Sequence, residues 1–189
     1  MRTSTFSSWA TTAALALAAS VAHADSWKFP ATTTDRTFDF DATRIVLTTD
    51  ARKSQRMPDF QMRVLLAGRE QARFPGVSVD QIFASPDKKV FLGLSNQGLP
   101  GTAVILFSNT GRIILLANHG LAEFDYCSKS VTLARDWYDQ LKPEIRWDLD
   151  NEKNPGIYLR DCKGQTIELL STVQLAYARA AQLMAKTPR

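Results

Sequence analysis

The chain is poor in the residue types that carry most metal and nucleophile chemistry. Its 189 residues include only two cysteines and two histidines, His23 and His119. Two thiols and His119 cannot supply the four ligands of a structural zinc site. A Ser-His-Asp triad would have to use His119 as its base. The sequence therefore predicts no metal and no cofactor.

Sequence motifs of several enzyme classes are also missing. Neither of the glycine-rich phosphate loops, G-x-x-x-x-G-K and G-x-G-x-x-G, occurs, which argues against a nucleotide site. Ser95 stands between Gly93 and Gly98, which is the wrong spacing for the G-x-S-x-G nucleophile elbow. Ser85 and Lys88 match S-x-x-K, but Pro86 between two apolar runs is typical of a hairpin turn.

Long apolar runs are scarce, and the clearest one lies near the N-terminus. Arg2 precedes an apolar stretch over residues 10–21, and Ala22-His23-Ala24 has the small-x-small pattern of a cleavage site. This run is shorter than the ~20 apolar residues of a membrane-spanning helix. We therefore predict a signal peptide over residues 1–24 and a single β-rich periplasmic domain over residues 25–189, with no transmembrane segment in the mature chain.

Export explains the two cysteines. Disulfides persist in oxidising compartments, and an even number of cysteines there indicates a bridge. A reactive thiol would instead need a lowered pKa and a histidine partner. The sequence therefore predicts a disulfide between Cys127 and Cys162.

The mature chain has the pattern of a mainly β protein of the α+β class. Alternating or continuous apolar runs separated by turn residues predict an antiparallel sheet, or a small sandwich or barrel of hairpins. The continuous runs 104–107 and 113–116 indicate strands that are covered on both faces. Residues 25–36 read as an irregular lead-in, and helical spacing over residues 172–186 predicts a C-terminal helix packed on the sheet. Residues 131–141 fit both a helix and a strand, and we favour a helix.

Positive charge is concentrated in one part of the chain. Residues 51–75 hold six basic residues against two acidic ones, whereas the whole chain has a net charge of only +4. Such a region attracts acidic proteins, anionic glycans or anionic lipid headgroups, and the predicted compartment argues against nucleic acid. The predicted binding residues are Arg52, Lys53, Arg56 and Arg63.

These observations favour an exported, non-enzymatic interaction module of the bacterial envelope, such as an inhibitor, an immunity-type protein or an accessory subunit. Its partner would be another envelope protein or an anionic glycan. The alternative is a small periplasmic hydrolase or glycan-acting enzyme that uses His119, or Asp136 with Asp139, beside Trp137 and Tyr138. A third reading is a structural domain of an envelope complex that binds through an edge strand.

Overall fold

The computed structural model describes residues 30–96, 101–119, 124, 126–129, 135–150 and 155–186. The predicted signal peptide lies outside these residues, as do residues 131–134 of the ambiguous segment. Among the described helices, none combines the length and the apolar character needed to cross a membrane.

The first sheet is a four-stranded antiparallel meander in which each strand pairs with the next one along the chain. The prediction of an irregular lead-in is wrong for residues 33–36. Thr33 is already the first residue of the first strand, which pairs with the second strand over eight positions. Alternating side chains cover one face of this sheet with apolar residues and leave the other face polar. The strands are β1 (Thr33–Phe40), β2 (Thr43–Asp50), β3 (Asp59–Leu66) and β4 (Arg69–Pro75).

The central sheet is a second four-stranded antiparallel meander. Its third strand is buried over six consecutive residues, which confirms the prediction of a strand covered on both faces for the run 104–107. The same prediction is wrong for the run 113–116, because it lies on the edge strand of this sheet and Ile113 and Ile114 are 40% and 51% exposed. Gly93 is required here, since a Cβ at this position would lie 2.8 Å from Cγ2 of Ile105. The strands are β5 (Gln81–Ala84), β6 (Val90–Leu94), β7 (Thr102–Ser108) and β8 (Ile113–Asn118).

The third sheet has three antiparallel strands and leads directly into the helix. A two-residue ladder precedes it in the chain, and Tyr138 forms an isolated bridge with Asp161. These elements are β9 (Ser128–Lys129), β10 (Arg135–Asp136), β11 (Ile145–Asp148), β12 (Gly156–Arg160), β13 (Thr166–Glu168) and α1 (Leu169–Lys186).

The three sheets stack face to face, with the central sheet in the middle. One core lies between the first and central sheets and includes Ile45, Leu47, Met62, Val64, Phe91, Ile105 and Phe107. The other lies between the central sheet, the third sheet and α1 and includes Leu92, Leu94, Val104, Leu106, Trp137, Ile157, Leu159, Leu169 and Val173. Residues 104–107 of β7 alternate between the two cores, as the period of a strand requires. The mainly β class with a C-terminal helix is therefore confirmed.

Two predictions about helices need correction. The described part of the 131–141 segment is not helical, because Arg135 and Asp136 form β10 and Tyr138 is bridged to Asp161. The C-terminal helix begins at Leu169, three residues before the predicted start. Its N-terminus is capped by Glu168, whose carboxylate accepts the backbone N–H groups of Leu170 at 3.0 Å and Ser171 at 2.6 Å.

The disulfide between Cys127 and Cys162 is confirmed, with Cα atoms 6.1 Å apart. It ties the segment before the third sheet to the end of β12. A structural disulfide indicates an oxidising compartment outside the cytoplasm.

Candidate functional site

The β2–β3 connection carries three of the four predicted binding residues. We call residues 52–57 the basic loop. Its two ends are anchored, because Ala51 and Pro58 are buried and the N–H of Ala51 donates to the carbonyl of Thr32 at 3.0 Å. Within the loop the N–H of Met57 donates to the hydroxyl of Ser54 at 3.0 Å. The loop is therefore held at both ends and braced internally.

Arg52 contributes to this bracing. Its guanidinium donates to both carboxylate oxygens of Asp50, with Nε–Oδ1 2.9 Å and Nη2–Oδ2 2.5 Å. These hydrogen bonds from Arg52 hold the pKa of Asp50 far below its ordinary value. The charge of Arg52 is thus largely compensated by Asp50, the last residue of β2.

The remaining basic side chains of the loop are directed at solvent. Lys53 and Arg56 are exposed, and neither has an ion-pair partner among the described residues. Met57 follows directly and is 68% exposed, the second most exposed large apolar residue of the described chain. The loop therefore presents two uncompensated cations beside an apolar side chain.

The structure does not place Arg63 in this loop. It lies four residues beyond Asp59 on β3, which is about 13 Å along an extended strand. Its neighbours are Glu70, at 4.0 Å, and Arg73, which binds both oxygens of Glu70 at 2.9 Å. The Nε atom of Arg63 is buried and has no hydrogen-bond partner among the residues that the structure describes. Arg63 therefore belongs to the polar face of the first sheet.

A second concentration of polar residues lies between the central sheet and the disulfide-linked segment. We call Asp80, Ser95, Asn96, Asp136 and Gln140 the polar cluster. Asp80 accepts the hydroxyl of Ser95 at 3.1 Å and the N–H of Asn96 at 2.9 Å. Asp136 accepts the side-chain amides of Asn96 at 3.1 Å and Gln140 at 2.9 Å. These bonds join three stretches that lie far apart in the sequence.

His119 lies beside this cluster and is only 8% exposed. Tyr126 donates its hydroxyl to the carbonyl of His119 at 2.8 Å and lies 3.3 Å from Nδ1. Burial, with a smaller contribution from the charge of Arg135, lowers the pKa of His119 to about 4, while the backbone of Ser95 acts in the opposite direction. The imidazole is therefore neutral at pH 7, and its Nε2 atom has no hydrogen-bond partner among the described residues.

Asp136 and Asp139 do not lie on one face of a helix, because Asp136 belongs to β10. Asp139 instead accepts the N–H groups of Leu141 at 3.2 Å and Lys142 at 3.1 Å, which closes the turn after it. Asp136 belongs to the polar cluster, so the two carboxylates have different partners.

The aromatic residues near these carboxylates form part of the core. Trp137 is 1% exposed, stacks on Phe124 with ring centroids 3.9 Å apart and donates Nε1–H to the carbonyl of Ser95 at 2.8 Å. Tyr138 is 2% exposed, and burial raises the pKa of its hydroxyl. Neither ring forms an open platform on which a sugar could stack.

The sequence analysis did not predict that Asp80, Ser95 and Asn96 lie together and form hydrogen bonds. One local signal was present, since Ser95 and Asn96 directly follow the buried run of β6 and Asp80 directly precedes β5.

Within the described part of the chain, no group of three or more His, Cys, Asp or Glu residues could hold a metal ion. Comparisons of the chain with protein-family models, curated proteins and solved structures find no match.

Proposed function

We propose that this chain is an exported, non-enzymatic interaction module of the bacterial envelope that binds an acidic protein surface through the basic loop. The signal-peptide pattern of residues 1–24 supports export to the periplasm. The Cys127–Cys162 disulfide is consistent with that compartment.

The observation that carries this proposal is the contrast between the braced backbone of the basic loop and its exposed side chains. A loop that is already ordered loses less conformational entropy when a partner binds. Its exposed side chains include Lys53, Arg56 and the apolar Met57, which is 68% exposed. Arginine and methionine are enriched in protein–protein interfaces. The adjacent Met57 favours a protein partner over an anionic glycan.

The hydrogen bonding of the polar cluster also favours a binding role over a hydrolytic one. The hydroxyl of Ser95 is fully buried and donates to Asp80, so it is not poised to attack a substrate. Asp136 accepts two side-chain amides, and Asp139 caps its own turn. In this arrangement these residues hold the sheets and turns together.

The proposal is tested by charge reversal with a matched control. The test variant is the double substitution Lys53→Glu and Arg56→Glu. The control is Lys89→Glu with Arg112→Glu, which makes the same change in net charge at two exposed turn residues. Those two turns contact each other, because the N–H of Asn109 donates to the carbonyl of Lys89 at 2.9 Å.

Each full-length variant would carry a C-terminal tag, be exported, and be captured after chemical crosslinking in the periplasm. A stoichiometric acidic partner should be recovered with the wild type and with the control, and its recovery should fall about tenfold with the test variant. Raising the salt to about 0.5 M should weaken recovery in the same way. Equal recovery with both double variants would show that the basic loop is not the binding surface.

A further inference from the structure

The first strand of the first sheet offers a long and regular edge. β1 pairs with β2 over eight consecutive positions without a bulge. Among the described strands, β2 is its only partner. Six of its eight residues are exposed, and Phe38 and Phe40 are half-buried. A second extended chain could therefore approach β1 along its whole length.

The other described edges are interrupted, covered or short. β4 contains a bulge opposite Val64 and Leu65 and ends at Pro75. On β8, the carbonyl of Leu116 already accepts the hydroxyl of Tyr177 from α1. The edge strands β5, β11 and β13 have four residues or fewer. Such features protect sheet edges from pairing with other chains. Among the described residues, the protection found on β1 is limited to its charged side chains Asp35, Arg36 and Asp39.

The register shows which backbone groups of β1 point outward. Ala51 lies opposite Thr32 in the continued register and donates its N–H to that residue at 3.0 Å. Antiparallel pairs alternate between hydrogen-bonded and non-hydrogen-bonded positions. The even-numbered residues of β1 therefore bond to β2, and the odd-numbered residues direct their N–H and C=O groups away from the sheet. These residues are Thr33, Asp35, Thr37 and Asp39.

The side chains of the same residues make this edge acidic. Asp35 and Asp39 lie on one face of β1 with Thr37 between them. Arg44 pairs with Asp39 at 2.6 Å, whereas Asp35 accepts the Thr48 hydroxyl at 2.6 Å and has no ion pair with a described residue. A basic side chain on an added strand, placed opposite Asp35, would thus compensate a carboxylate charge that no described residue pairs with.

Two central registers of a second copy of this chain bring like charges together at this edge. In an antiparallel pair of β1 strands centred on Thr37, Asp35 of one copy would lie opposite Asp39 of the other. In a pair centred on Arg36, the two Arg36 side chains would lie opposite each other. Like charges directly opposite each other destabilise strand pairing.

We propose that the β1 edge binds an extended segment of a partner protein as an added antiparallel strand, with basic side chains opposite Asp35 and Asp39. Main-chain hydrogen bonds to the odd-numbered residues would supply the pairing, and the alternate side chains would supply the selectivity. The edge is a different surface from the basic loop, so this proposal stands independently of the proposed function.

The probes are two blocked heptapeptides, Thr-Lys-Val-Thr-Val-Lys-Thr and the same peptide with glutamate in place of both lysines. Each would be titrated into the exported full-length protein and followed by amide chemical shifts. The lysine peptide should bind about fivefold tighter than the glutamate peptide, because each opposite-charge cross-strand pair is favourable and each like-charge pair unfavourable. Asp35→Asn should reduce this preference while keeping the oxygen that accepts from Thr48.

Proline substitutions test the direction of the backbone groups. Thr37→Pro removes an outward N–H and should abolish binding of the lysine peptide with little loss of stability, since proline is tolerated at such edge positions. Thr37→Val keeps the N–H and should retain binding. Thr34→Pro removes an N–H that bonds to β2 and should lower the melting temperature much more than Thr37→Pro.

Several results would overturn the proposal. They are the absence of binding of the lysine peptide to the wild type, equal binding to Thr37→Pro, and equal destabilisation by the two prolines. A wild-type dimer that Thr37→Pro converts to a monomer would assign the edge to a second copy instead. Binding that persists in the Lys53→Glu and Arg56→Glu variant separates this edge from the basic loop.

Discussion

The polar cluster and the basic loop both concentrate polar side chains, but they use them in opposite ways. In the polar cluster, the carboxylates of Asp80 and Asp136 each accept two hydrogen bonds from neighbouring groups. In the basic loop, Arg52 is compensated by Asp50, whereas Lys53 and Arg56 face solvent without an ion-pair partner among the described residues.

This difference separates residues that stabilise the fold from residues that are available to a partner. Removing one member of a partly buried hydrogen-bond network such as the polar cluster leaves its partners unsatisfied and costs stability. Removing an exposed cation costs the isolated protein little. Stability and binding measurements should therefore respond to different parts of the chain.

The largest effect is expected for Asp80→Ala. This change leaves the Ser95 hydroxyl, which is 0% exposed, and the N–H of Asn96 without their acceptor. The free energy of unfolding should fall by about 3 kcal/mol. Asp59→Ala, an exposed aspartate next to the basic loop, is the control and should change it by less than about 0.5 kcal/mol. Urea unfolding measures both, and similar losses would remove the distinction between the two regions.

A smaller effect is expected from the protonation of His119. Its pKa is lowered from 6.5 to about 4 in the folded protein, so the unfolded chain binds a proton more readily between these values. The contribution of the neutral His119 ring to the free energy of unfolding should be fully present above pH 6.5 and should be lost progressively as the pH falls towards 4. Because even buried sites behave as if the effective dielectric constant were about 20, we expect a loss of about 2 kcal/mol.

The measurement is the free energy of unfolding at several pH values for the wild type and for His119→Gln. The difference in the free energy of unfolding between the wild type and His119→Gln should change between pH 6.5 and about 4, since Gln does not titrate. A constant difference from pH 7 to about 4 would contradict the lowered pKa of His119.

The smallest effect is expected for the double substitution Lys53→Ala and Arg56→Ala. Neither side chain has an ion-pair partner among the described residues, so the melting temperature should shift by no more than the equivalent of about 0.5 kcal/mol. Partner capture should nevertheless weaken. A large loss of stability would mean that the loop is part of the scaffold.

Strand β7 could be predicted because its local pattern and its final environment agree, whereas the run 113–116 forms an edge strand on which Ile113 and Ile114 are exposed. The continuous apolar run 104–107 indicates a strand buried on both faces, and two separate cores do cover it. The hairpin at Ser85 was predictable for a similar reason. Its hydroxyl and Asp87 pair within the turn at 2.7 Å, a contact between residues two apart in the sequence.

The segment after Cys127 could not be predicted because its conformation depends on distant groups. The spacing of Val131, Ala134 and Trp137 fits a helix, but Trp137 is held by the Ser95 carbonyl, 42 residues earlier. Tyr138 is bridged to Asp161, which directly follows β12 and lies 23 residues later in the sequence. Helical periodicity contains no information about either partner.

The candidate sites show the same limit. The basic loop was visible in the sequence as a local excess of arginine and lysine. The pairing of Arg52 with Asp50 and the separation of Arg63 from the loop could not be predicted, because both depend on how the strands fold. The polar cluster joins residues around 80, 95 and 136, and no stretch of sequence contains more than two of its members.

The disulfide also determines what a proteolytic cut would do to this protein. Cys127 and Cys162 enclose β9 to β12, so any single cleavage between them leaves both products covalently attached. The nicked chain would migrate as one species without reductant and as two with it. A protease of an extracytoplasmic compartment could thus cut the chain within the third sheet, and the disulfide would still hold the two fragments together.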